Sequence, residues 1–66
     1  MDLIGKIAEL VNGEVSEKEN RIYVKFIGIR NASLLKQFMS NHGFNYVYGA
    51  YNEGVYELGF SEGEGN

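Results

Sequence analysis

The same order of elements, helix then glycine then hairpin, can be read twice along this chain, from Asp2 to about Ile29 and again from Asn31 to about Ser61. Two amphipathic helices that alternate with two hairpins bury their apolar sides most simply against a single sheet. The expected fold is α+β: a two-layer sandwich in α-β-β-α-β-β order, with a four-stranded, mainly antiparallel sheet and both helices on one face. Leu3, Ile4 and Ile7 align with Leu34, Leu35 and Phe38, so a rough internal two-fold is expected. Strand order stays open, and a strand-exchanged dimer is the alternative.

Asp2 stands where an N-cap belongs, before the apolar stripe of Leu3, Ile4, Ile7, Ala8, Leu10 and Val11. Gly13 is the expected left-handed stop, which places the first helix at about Leu3 to Asn12. The period then changes to two. Val15 and the alternate Ile22, Val24 and Phe26 flank a polar turn, Glu17 to Asn20, whose four-residue loop sets Val15 opposite Ile22. Asn31 is the expected N-cap of a second helix that runs through Leu34, Leu35, Phe38 and Met39 to His42 and stops at Gly43, with Phe44 folding back on Met39. In the last hairpin, Asn52-Glu53-Gly54 reads as a three-residue loop with Gly54 left-handed. That register pairs Ala50 with Tyr56, Tyr48 with Leu58 and Tyr46 with Phe60 on the core face, and Tyr51 with Val55 on the other.

Residues 1–61 thus form one domain, and 62–66, acidic and glycine-rich, are expected to be a flexible tail. At 66 residues the domain is near the size at which one core needs a staple. Cysteine is absent and His42 is the single histidine, so neither disulfides nor a zinc cluster can serve, and a homodimer is the expected remedy. No cofactor and no metal site is expected. The Met-Asp-Leu-Ile start lacks a basic n-region and long apolar stretch, and no apolar run approaches the roughly 20 residues of a membrane span, so a cytoplasmic chain is expected.

Nine acidic against six basic residues give a formal charge of −3, which argues against a nucleic-acid binder that works by neutralising phosphates. Catalytic residues do not stand out either. Glu53 falls at a turn tip and Glu57 on an open sheet face, while His42 at a helix C-terminus is explained by the helix dipole and has no carboxylate to orient it. An enzyme is not expected.

The residues left over once the core is assigned carry the functional reading. Tyr23, Lys25, Ile27, Val47, Tyr51 and Val55, with Arg21 and Arg30 close by, form a sheet face too apolar for one meant only for water. The expected function is a small non-enzymatic binding protein, an interaction or inhibitor module whose Tyr-rich face docks on another macromolecule, such as a host protein met by a phage or mobile-element regulator. The alternative is a small-molecule or nucleotide-sequestering protein whose groove, at a dimer interface, offers Tyr23, Tyr51 and either Tyr46 or Tyr48 for stacking and Arg21, Lys25 or Arg30 for the anion.

Overall fold

A computed structural model describes residues 2–63. Its elements are α1 (Leu3–Val11), β1 (Glu14–Lys18), β2 (Arg21–Ile27), α2 (Ile29–Asn41), β3 (Phe44–Asn52) and β4 (Val55–Glu62). The strands pair antiparallel throughout, in the order β1-β2-β4-β3. Each hairpin therefore lends its second strand to the middle of the sheet and its first strand to an edge, which is the arrangement an internal two-fold requires. Both helices cover one face. Ile7 and Val11 from α1 and Ala32, Leu35 and Met39 from α2 meet Ile22, Val24, Phe26, Leu58 and Phe60 from the two central strands in one buried cluster. All ten are apolar, and no polar or charged side chain is buried among the described residues.

The helix ends are set differently in the two halves. The Asp2 carboxylate accepts the Gly5 N–H at 2.8 Å, as an N-cap should. At the other end of α1 the left-handed residue is Asn12, φ 53°, rather than the expected Gly13. Gly13 is needed for another reason: a Cβ there would run into the Lys25 carbonyl oxygen and sit 3.1 Å from the Phe26 Cβ, so the chain can turn tightly onto β2 only with glycine. Asparagine tolerates the left-handed region better than most residues, which frees the glycine for the close approach.

The second helix begins before its expected cap. Gly28, φ 103°, occupies the cap position, and Asn31 lies inside the first turn, where its side-chain amide donates to the Ile27 carbonyl at 3.0 Å. The stop matches expectation: Gly43 has φ 84° and its N–H donates to the Ser40 carbonyl at 3.1 Å, while Phe44 packs against the core that contains Met39.

Both hairpins turn more tightly than the four- and three-residue loops expected. The first closes on Glu19-Asn20, with Glu19 at φ 58°, so Val15 lies opposite Val24 and Ile22 opposite Glu17. This shift moves Val15 by an even number of positions and leaves it on the helix side. The second closes on Glu53-Gly54, at φ 51° and 86°, the twist-matched form of a two-residue turn. Here the displacement is by one. Tyr51 pairs with Tyr56, Gly49 with Leu58 and Tyr48 with Gly59, so Tyr51 moves to the helix side and Tyr48 to the open side. A bulge at Val47 takes up the slip, and beyond it Tyr46 faces Phe60 as the hydrophobic pattern demands. Strand β4 continues to Glu62 and Gly63 donates to the Gly43 carbonyl at 2.6 Å, so the fold reaches past Ser61; residues 64–66 of the expected tail lie outside the described residues.

Candidate functional site

Because Ile22, Val24 and Phe26 point to the helices, Arg21, Tyr23, Lys25 and Ile27 of the same strand point the other way. Ladder pairing extends this row across the sheet: Lys25 stands between Glu14 and Glu57, Ile27 opposite Val55, and Tyr23 between Ser16 and Gly59. No helix covers this face. Ile27 is 71% exposed and Val55 40%.

A tyrosine pair lies at its centre. Tyr23 on β2 and Tyr48 on β3 reach toward each other across β4 and meet edge to face, ring centroids 5.9 Å apart. The strand between them presents Gly59, which is buried beneath the two side chains: a Cβ at this position would lie 2.8 Å from the Tyr23 ring and 3.0 Å from the Tyr48 Cβ. Aromatic cover of a bare strand glycine is a packing device, and it fixes both rings in place. Arg21 donates to the Tyr23 hydroxyl at 3.3 Å. That hydrogen bond, with the negative charge Tyr23 would carry as a phenolate, raises the Arg21 pKa above its ordinary value, which already keeps a guanidinium charged at working pH.

Five of the expected site residues thus share one surface: Arg21, Tyr23, Lys25, Ile27 and Val55. Tyr51 and Arg30 do not. Tyr51 is on the opposite face, its ring 4.7 Å from that of Tyr56, because the two-residue turn displaces its register. Val47 is the bulge residue of the β3 edge, and Arg30 belongs to the first turn of α2, in the helix layer. Consequently a single chain does not gather Tyr23 and Tyr51 into one stacking groove. Tyr48, assigned to the core by its expected register and weighed only as a stacking residue of the alternative groove, is the residue whose place on the open face sequence reasoning missed. Its signal was Gly59, a glycine inside a strand pattern that needs a neighbour to cover it.

The helix side of β3 carries its own aromatic group. Tyr46 folds over Gly49 and approaches Phe60, while Lys36 of α2 holds its ammonium 4.5 Å from the centre of the Tyr46 ring. Tyr46, Tyr51, Tyr56 and Lys36 line a shallow cleft of about 270 Å³ between α2 and the strand.

Catalytic geometry does not emerge at the positions weighed for it. The His42 ring donates from Nδ1 to the Phe38 carbonyl at 2.9 Å and lies against the Phe38 ring, centroids 4.2 Å apart, which employs it in closing the helix. Among the described residues no three His, Cys, Asp or Glu side chains stand close enough to hold a metal ion. No helix of the described chain is long and apolar enough to cross a membrane. Comparison with known proteins yields no matching family model, no curated relative and no similar solved structure.

Proposed function

We propose that this protein is a non-enzymatic binding module that docks its uncovered sheet face on another macromolecule. One observation carries the reading: the uncovered face presents exposed apolar side chains in two groups, Ile27 beside Val55 and the Tyr23–Tyr48 pair, with the Lys25–Glu57 pair between them and Arg21 beyond Tyr23. Tyrosine and aliphatic side chains interleaved with a few charges make the composition of an interaction surface. Rigidity adds to the case. Rings locked over Gly59 lose little freedom on binding, so less of the contact energy is offset by ordering.

Such a module works by occupying a surface, as an inhibitor or adaptor does, and it calls for no chemistry of its own. Ile27→Asp tests the reading, because it places a charge beside Val55 while leaving the buried row of β2 intact. The unmodified protein, immobilised and exposed to extract of its own host, should retain a partner that the Ile27→Asp protein, with unchanged circular dichroism, fails to retain. Recovery of the same proteins by both would remove the open face as the docking surface.

A further inference from the structure

The two edges of the sheet are unlike. On one side β1 is five residues long and three of them, Glu14, Glu17 and Lys18, are charged. Short, charged edges resist pairing with another strand. On the other side β3 is nine residues long, Phe-Asn-Tyr-Val-Tyr-Gly-Ala-Tyr-Asn, and is the one element of the six with no charged residue. Every residue from Asn45 to Asn52 is exposed, Tyr51 to 62%.

The register of β3 on β4 shows which backbone groups are free. A two-residue hairpin closes on a hydrogen-bonded pair, here Asn52 with Val55, and antiparallel pairs then alternate. Ala50 and Tyr48 therefore spend their N–H and C=O groups on β4, while Tyr51 and Gly49 turn theirs outward. Those two residues are spaced as a strand needs to bond a neighbour.

We infer that β3 pairs with β3 of a second copy of this chain, antiparallel about a two-fold axis at Ala50, so that two four-stranded sheets become one of eight strands. Charge selects the occupant. In a two-fold strand contact every residue meets a residue of the same segment, and β3, which has no charged residue, brings no like charges together in any register, as suits self-contact in a chain of formal charge −3. The other three strands all carry charged residues. With Ala50 opposite Ala50, Gly49 of each copy faces Tyr51 of the other, and the two outward pairs exchange four hydrogen bonds.

Side chains suit this register. Ala50 is small where the strands come closest, and Tyr51 falls beside the glycine, Gly49, that Tyr46 already covers from its own strand. The turn tip carries Glu53 of the second copy alongside Val47, toward Lys36, which lies over Tyr46. By symmetry this opposite-charge approach occurs twice. The bulge at Val47 ends the pairing by turning the rest of the strand away, which limits the contact to Tyr48–Asn52 and prevents an open-ended stack. A contact of that size is small, so the dimer forms reversibly and depends on concentration.

This edge contact is separate from the open face, although it deepens the binding-module reading by setting two such faces side by side. Amide hydrogen exchange of the unmodified protein across a dilution series, with sedimentation on the same samples, tests it. Gly49 and Tyr51 amides should be protected in concentrated protein and exchange freely on dilution, while Tyr48 and Ala50 stay protected at all concentrations. Ala50→Lys and Ala50→Glu should each weaken self-association by about fivefold or more, as like charges meet across the axis, and an equimolar mixture of the two should recover it as a heterodimer. Free exchange at Gly49 and Tyr51 at every concentration, or a dimer indifferent to Ala50→Lys, would overturn the inference. Ile27→Asp separates the two proposals. If it abolishes partner binding and leaves the dimer, both stand; if it dissolves the dimer and Gly49 and Tyr51 prove unprotected, the open face is the self-contact and the edge pairing is wrong.

Discussion

The two helix-hairpin units share an order of elements and a two-residue turn, Glu19-Asn20 in one and Glu53-Gly54 in the other, yet they differ at their outer strands. The first unit spends its outer strand on charge and keeps it short. The second makes it longer by four residues, strips it of charge and inserts a bulge. Symmetry is thus kept where the core demands it, in β2, β4 and the buried helix stripes, and relaxed where the sheet meets its surroundings. Shared topology fixes the fold, and the asymmetric edge is where the chain is free to specialise.

The strongest test of the shared part lies in the core. Ile7 in α1 and Leu35 in α2 are both 0% exposed, each facing the central strands with Val11 and Met39 one turn on, so burial matches Ile7 with Leu35 rather than with the half-buried Phe38 of the expected alignment. Ile7→Ala and Leu35→Ala should each cost about 2–5 kcal/mol, enough to unfold much of so small a domain. Urea unfolding of the two variants checks this. Nearly equal losses would support two equivalent halves around one core, whereas a loss confined to one would mean that the other unit merely rests on it. Phe38→Ala should cost less than Leu35→Ala, since Phe38 is only half-buried.

The next effect in size separates the two glycines that follow the helices. Gly13→Ala forces a Cβ against backbone, the Lys25 carbonyl, which cannot rotate away, and should cost about 1–3 kcal/mol. Gly43→Ala meets no atom within 4 Å, and its penalty is that of a left-handed residue alone, about 1 kcal/mol. Asparagine distinguishes the causes. Gly43→Asn should recover most of the loss because asparagine accepts positive φ, and Gly13→Asn should recover none. Equal behaviour at the two sites in thermal melts would show that Gly13 is also there for its dihedral freedom.

Those glycines also show how far the sequence could be read. Element order, the helix-covered face and the buried row of Ile22, Val24 and Phe26 were all legible, because periods of 3.6 and 2 report directly which side of an element is wet. Turn geometry was not. Asn52-Glu53-Gly54 is compatible with a two- or a three-residue loop, and the difference of one residue moves Tyr48 and Tyr51 to opposite faces. The hydrophobic pattern could not arbitrate, since tyrosine is at home on either side of a sheet. The bulge at Val47 hid the error further by returning Tyr46 to the expected pairing with Phe60. Hence β2 supplied its share of the candidate site correctly, with Arg21, Tyr23, Lys25 and Ile27, while β3 exchanged Tyr51 for Tyr48.

The smallest expected effect concerns the helix starts, where the halves again reach one end by different means. In α1 the Asp2 carboxylate satisfies an otherwise free N–H, and as an anion it also favours the positive end of the helix dipole. In α2 the cap position belongs to Gly28 at φ 103°, where a residue with a Cβ is strained, so no side chain there can cap; Asn31 instead ties the first turn back to the Ile27 carbonyl. Asp2→Ala should therefore cost about 1 kcal/mol. Asn31→Ala should cost less, because the bond it removes is exposed and its carbonyl partner turns to water without desolvation. Chemical denaturation resolves differences of this order, and the ranking carries the information. Should Asn31→Ala prove the more damaging, the start of α2 would depend on that amide, and the link from β2 into α2 through Gly28 would be the more fragile of the two helix entries.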